Sequence, residues 1–350
     1  MKVDYLIVGQ GLAGTILSYR LLKQEKKVLV IDQPQMESSS VVAAGLFNPI
    51  TGNRMVKTWL ADELFSELVD FYRELETFLG CRFFYQKPIY RPFVNMAEQN
   101  EWMGKSADPG IKKFIRKIHR NSVYGDFVED AYGGLELNYC GYVDIATLLR
   151  EYRTYLKQQQ IISEETFEGE KLVFDTHLVR YRHIEARRVI FCEGPLSNVD
   201  RFFSWLPFRR VKGELLIIEP KEPVPVILNR GLFILPLENG HCKVGSTYDW
   251  KDMTWEVTEK AGIELRKKLH VFFKKYYKVI DQVAGIRPAT LDRRPLIGAH
   301  PEFNKLMIFN GFGTKGVSLM PYFSAKFCNF LSNDKELPEE VNINRYFSLY

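Results

Sequence analysis

DYLIVGQGLAG, residues 4–14, followed by VLVID, residues 28–32, is the stretch whose reading decides the fold. Val3 to Val8 is a short, nearly unbroken apolar run, the pattern of a parallel strand buried on both faces. Gly9, Gly11 and Gly14 then satisfy G-x-G-x-x-G, and AGTILSYRLLKQ continues with Ile16, Leu17 and Leu21 at helical spacing. Between a strand and a helix these glycines have mechanical jobs. Gly9 allows a tight turn, Gly11 lets backbone approach a pyrophosphate, and Gly14 lets helix pack on strand. The helix start at Leu12 and Ala13 would offer unpaired N–H groups and partial positive charge to phosphates. The second strand ends in Asp32, with Gln33 behind it, roughly twenty residues on from Gly9, where a ribose-binding carboxylate belongs. The pattern predicts dinucleotide binding, against the alternative of a plain βαβ unit with fortuitous glycines, and leaves NAD or FAD open.

The rest of the chain bounds the class. It has 350 residues, 46% hydrophobic and 26% charged, which describes an ordinary globular chain long enough for two domains. A net charge of +5 is compatible with acidic substrates and too mild to argue for nucleic acid. The first strand begins at Val3, the five cysteines are scattered and the six histidines do not cluster. A cytoplasmic, reduced protein without structural metal or membrane span is the expectation.

Residues 62–79 carry Leu64, Phe65, Leu68, Val69, Tyr72, Leu75 and Phe78 on one helical face. Strand-like CRFFY and PIYRPF follow, then a basic segment, GKSADPGIKKFIRKIHRN (104–121), read as carrying a helix over 111–120. VDIATLLREYRTYLKQQQ (143–160) opens with a capping Asp144. IISEETF and ARRVIFCEG read as strands, and β patterns dominate VKGELLIIEP, RGLFILP and HCKVGSTY. AGIELRKKLHVFFKKYYKV (261–279) reads as a basic helix with Leu265, Leu269, Phe272, Phe273 and Tyr276 as its apolar stripe. Dinucleotide-fold signals thus recur at the start, middle and end of the chain, with antiparallel β material between them. The fold class expected is α/β: a discontinuous Rossmann-type domain (1–80, 140–205 and 283–350) with a second, α+β substrate domain on an antiparallel sheet (81–139 and 206–282).

Five blocks together resemble the D-amino acid oxidase-like FAD-dependent oxidoreductases, which include glycine oxidase and sarcosine oxidase. They are DYLIVGQGLAG with VLVID, SSSVVAAGLFNP (38–49), RRVIFCEGP (187–195), GIRPATLDRRPLIG (285–298) and FNGFGTKGVSLMP (309–321). The resemblance implies FAD as cofactor, and the absence of cysteine from GIRPATLD implies that it is held non-covalently. It places Ser39, Ser40, Ala44 and Gly45 along the pyrophosphate and isoalloxazine, Asn48 near the flavin edge and substrate, and Glu193 and Gly194 beside the adenosine and pyrophosphate. Gly313, Thr314, Lys315, Gly316 and Val317 would form a glycine-rich helix start aimed at the pyrimidine ring, where positive potential stabilises the reduced cofactor. Arg287 would pair with a substrate carboxylate, which its planar, permanently charged fork suits; the competing role is a structural arginine paired with Asp292. Phe233 stands where the family often offers a tyrosine hydroxyl to substrate, which puts simple glycine or D-amino acid oxidation in question.

The activity implied is oxidation of a C–N bond of an amino acid or N-substituted glycine by hydride transfer to flavin N5, with no general base named. The partner implied is a small amine carboxylate. Two alternatives are carried. GLFNPITG and GIRPATLD also resemble the oxidase domain of tRNA wobble-uridine modification enzymes, and basic helices at 111–120 and 264–278 would lean towards tRNA. The other alternative is a flavin-binding module without catalysis.

Overall fold

In a computed structural model, residues 1–33, 38–52, 55–198, 201–333 and 335–350 are described. The opening apolar run forms the strand Lys2–Val8, in which Leu6 and Ile7 have no exposed surface. Complete burial of such side chains is worth about 1.5–3 kcal/mol each, which is why the run sits inside a sheet. It pairs in parallel with Val28–Ile31 on one side and Ile184–Phe191 on the other. Ile162–Ser163 extends the sheet at one end. Leu306–Asn310 pairs in parallel with Ile184–Phe191, and Leu296–Ala299 returns antiparallel along it. Helix Leu12–Lys23 and the carboxyl-terminal helix Gly316–Asn333 pack together against this sheet.

The second eight-stranded sheet draws its strands from residues 89–137 and 211–287. Its order is Tyr277–Arg287, Val211–Pro220, Cys242–Gly245, Phe233–Pro236, Ile227–Asn229, Ile89–Pro92, Gly134–Leu137 and Ile115–His119. All neighbours are antiparallel except Ile227–Asn229 beside Ile89–Pro92. The period-two alternation of strands gives each face its own task. Leu216, Ile218, Ile234 and Val244 pack with Leu265, Leu269 and Phe272 of the helix Glu259–Phe272. Gly213, Leu215, Phe233, Gly285 and Arg287 lie on the opposite face, towards the first sheet.

Two sequence expectations fail. Residues 111–120 are not helical: a single turn, Pro109–Lys112, gives way to the strand Ile115–His119 on Gly134–Leu137. Ile111, Phe114, Ile115 and Ile118 fit helical spacing, but the sheet edge supplies better partners, and tertiary pairing overrides the weak local preference. Lys113 pairs with Asp62 and Arg116 with Glu136, so the basic-helix argument for tRNA loses its helix and part of its charge. The second basic helix stops at Phe272, and Tyr276 is 85% exposed instead of on the apolar stripe. The next residues join the sheet, with Tyr277 opposite Pro220. The other helices hold: Ala61–Leu79, and Ile145–Gln158 with the Asp144 carboxylate accepting from the Thr147 amide at 3.2 Å. IISEETF contributes only Ile162–Ser163 as strand.

Candidate functional site

A cleft of about 1360 Å³ runs between the two sheets, from the carboxyl ends of Lys2–Val8 and Val28–Ile31 to the inner face of the second sheet. Typical small-ligand pockets occupy roughly 300–1,000 Å³, so this one has room for a dinucleotide and a substrate together. The place where the chain crosses beyond the strand ends is where open α/β sheets bind ligands.

At one end lies the glycine turn. Gly9 has φ of +99°, and a Cβ there would stand 2.7 Å from the Cys192 carbonyl oxygen. A Cβ on Gly14 would fall 1.9 Å from the Gly9 oxygen. Gly14 is therefore not on the cleft wall; it packs the helix onto the turn. Gly11 differs: a Cβ there meets only the Ser40 hydroxyl at 3.3 Å, so the missing side chain opens the cradle. The helix that starts at Leu12 has no acidic residue in its first turn and no side-chain cap, which leaves its amino end suited to an anion. Gln10, Leu12 and Ala13 line the cleft beside it.

Asp32 accepts the Gln10 amide at 2.8 Å and is ion-paired with Arg153, which also reaches Gln10 Oε1 and Glu164. Each carboxylate oxygen accepts twice, so ribose hydroxyls retain acceptor sites on Asp32. Arg153 sits on the helix 145–158, far away in sequence, and no local pattern marks it. Ser40 accepts from the Leu12 amide at 3.2 Å, while Ser39 donates to the Ile286 carbonyl and ties this loop to the second sheet. Gly45, at φ +71°, lies against Val143, whose carbonyl oxygen a Cβ would meet at 1.9 Å. Ala44, Gln33, Glu193 and Gly194 also line the cleft, and Asn310 donates to the Gly194 carbonyl at 2.8 Å.

The glycine-rich block lines the cleft wall beside the Leu12 helix start, where a Gly316 Cβ would fall 3.8 Å from Leu12 Cδ2. Gly313–Lys315 forms one tight turn leading into Gly316–Asn333, with Thr314, Gly316 and Val317 on the cleft. The Lys315 amine donates to Thr51 Oγ1 at 3.2 Å and Thr58 Oγ1 at 3.1 Å. Burial, with Arg294 and Arg293 nearby, pushes its pKa down to about 8. Asn48 lines the same wall, although its side-chain oxygen is used by the Ile50 amide at 3.0 Å.

Arg287 lies flat on the second sheet. One side of its guanidinium rests where a Gly213 Cβ would be, 2.1 Å from Nη2 and 2.2 Å from Nη1. The Tyr248 ring covers the other, with its centroid 4.7 Å from Cζ. Arg287 donates to Ser246 Oγ at 2.8 Å, the Thr247 carbonyl at 3.3 Å and the Lys212 carbonyl at 3.5 Å. Among the described residues no carboxylate pairs with it. Asp292, its competing partner from the sequence, instead holds Arg345 at 3.1 Å and the Arg294 amide at 2.9 Å. Burial holds the Arg287 pKa below the ordinary arginine value, so a bound anion would relieve a desolvated cation. Phe233 lines the cleft nearby and offers no hydroxyl. Gly213, Ser246 and Tyr248 carry no signal in the sequence, because three strands must pair before they meet.

Among the described residues no cluster of His, Cys, Asp or Glu could hold a metal, and no helix is long and apolar enough to cross a membrane.

These features are those of a flavin-dependent oxidoreductase. A family model described as FAD dependent oxidoreductase (DAO) matches residues 4–327, and the chain belongs to that family, with FAD as its cofactor. A glycine oxidase of Bacillus licheniformis is 33% identical over 91% of this chain and 90% of its own length. A glycine oxidase of Bacillus subtilis (strain 168) is 27% identical, the match spanning 54% of each chain. The crystal structure of iminodiacetate oxidase from Chelativorans sp. BNC1 superposes with a TM-score of 0.80 at 18% identity, covering 98% of both chains, and shares the fold. The open glycine cradle, the helix start without an acidic residue and the volume of the cleft fit FAD.

Proposed function

We propose that the chain oxidises a C–N bond of an amino acid or N-substituted glycine whose carboxylate is held by Arg287. The observation that carries this reading is a desolvated guanidinium bonded, among the described residues, to neutral oxygens alone, in the cleft that contains the glycine turn. The curated relatives named glycine oxidase support an amino carboxylate as substrate.

FAD, held non-covalently, supplies the hydride acceptor at flavin N5. The protein's part is placement. A carboxylate on Arg287 fixes one end of the substrate, and Phe233 and Leu215 present apolar surface beside it, which excludes water. Lys315 and the amino end of Gly316–Asn333 put positive potential along the cleft wall, which would suit the negative charge of a reduced flavin. An amine that arrives neutral needs no enzymatic base; the imine product hydrolyses.

Anaerobic mixing of the yellow holoprotein with glycine, sarcosine and longer N-alkyl glycines tests this. Bleaching of the flavin by one of these amines is the expected result. A flavin that none of them, nor any common amino acid, reduces would overturn the reading and leave a flavin-binding module.

A further inference from the structure

Beyond Arg287 the cleft reaches solvent past two aromatic rings. Tyr248 covers the guanidinium, and Trp250 stacks on Tyr248 with centroids 6.2 Å apart and planes inclined by 26°. Both rings line the cleft, yet Tyr248 is 55% and Trp250 56% exposed. A cation and two rings thus form a ladder from buried charge to open water.

The loop that carries the rings is fixed. The backbone of Asp249, between the two aromatics, makes a reciprocal bridge with Lys212, at 2.8 and 3.0 Å. The Asp249 side chain accepts the amides of Lys251 and Asp252 at 2.7 and 3.1 Å. Lys212, 1% exposed, sends its amine to the Asp252 carboxylate at 2.5 Å and to Thr254 Oγ1 at 3.1 Å. A buried lysine in the strand Val211–Pro220 thereby anchors the whole turn, and the rings stand ready before any ligand arrives.

Single exposed aromatics need no explanation. Two stacked rings on an anchored turn, continuous with a half-buried arginine that no carboxylate pairs among the described residues, expose apolar area where a substrate bound to that arginine would cover it. The occupant must therefore carry a carboxylate at one end and present a flat surface towards the mouth, because planar π-systems gain most against aromatic faces.

We propose that Tyr248 and Trp250 form a specificity shelf for a small amino carboxylate that also carries a flat, π-rich group remote from its carboxylate. This rests on Arg287 being the carboxylate anchor. The test uses the FAD-loaded full chain and three carboxylates that cannot be oxidised at a C–N bond: acetate, cyclohexylacetate and phenylacetate. Binding is followed by flavin absorbance and tryptophan fluorescence. Phenylacetate should bind about tenfold more tightly than cyclohexylacetate. Trp250→Ala should bring that ratio close to one, and Trp250→Phe should restore most of it. A ratio near one in the unaltered protein, or one that Trp250→Ala leaves intact, overturns the shelf; loss of acetate binding in Arg287→Ala would then show that the anchor survives it. If acetate does not bind, or binds Arg287→Ala equally well, both the anchor and the shelf fall.

Discussion

The two ends of the cleft are built in opposite ways. The glycine turn is local: Gly9, Gly11 and Gly14 lie within six residues of one strand–turn–helix unit, Gly14 packed on the Gly9 oxygen and Gly11 open to the cradle. The arginine end is assembled from Gly213, from Ser246, Thr247 and Tyr248, and from Arg287, residues on three strands or their ends. In the first case a motif carries its own geometry, because strand, turn and helix are contiguous. In the second, geometry appears only after antiparallel pairing sets Val211 opposite Arg287 and Leu215 opposite Gly245. On the proposed reading, the cofactor's cradle is thus written locally, and the substrate's anchor is written in tertiary structure.

Substitutions at each end can break that contrast. The largest effect should come from Gly14→Ala, whose Cβ would sit 1.9 Å from a backbone oxygen that cannot swing aside. Separating helix from turn should cost on the order of 3 kcal/mol and empty the protein of FAD, read by urea unfolding and by the ratio of flavin to protein absorbance. Gly11→Ala should instead keep the unfolding midpoint and weaken FAD binding about tenfold, because its Cβ projects into the cradle. Equal behaviour of the two variants would contradict the division between a packing glycine and a cradle glycine.

At the other end Arg287→Ala should raise KM for a carboxylate substrate by about 10- to 100-fold, the worth of a charged hydrogen-bonded pair of roughly 1.5–3 kcal/mol, while FAD content stays unchanged. Unaltered KM would remove its anchoring role. Gly213→Ala is gentler. The added Cβ meets the far end of a flexible side chain, so the guanidinium must lift while the strand persists. A KM increase of about tenfold with an unchanged melting temperature is expected; a collapse of the sheet would mean that Gly213 serves the fold and not the arginine.

The contrast also explains what was legible. Asp32 and most of the block GFGTKGVSLMP lie on the cleft because each sits at the end of a strand or the start of a helix that its own neighbours form, and Asp144 caps its helix for the same reason. Arg153 has no such local signal, since its partners Gln10 and Asp32 are brought to it by the packing of helix 145–158 against the first sheet. Tyr248 and Trp250 look like ordinary turn aromatics until the Lys212 anchor is seen. The helix expected at 111–120 and the overlong end of the one expected at 261–279 have a related cause: their apolar spacing suits a helix, and the strands Gly134–Leu137 and Val211–Pro220 decide otherwise.

Lys315 supplies the smallest and cleanest effect, because it joins the local block to the distant Thr51 and Thr58. Its pKa falls from an ordinary 10.5 to about 8 in the folded chain, chiefly through burial. Folding therefore expels a proton when the pH lies between those values, since the unfolded chain then holds more protons than the folded one. Stability must rise with pH across that window. Below about pH 8 the amine is charged in both states and the full desolvation cost is present; above 10.5 it is neutral in both and the cost is gone. Lys315→Met removes this dependence. In urea unfolding of the full chain freed of FAD, the stability of the unaltered protein relative to Lys315→Met should climb from pH 8 to 10.5 and level off on either side. A constant difference would mean that the amine keeps its solvent-like affinity for protons, and that burial and the nearby Arg294 and Arg293 do not set its charge.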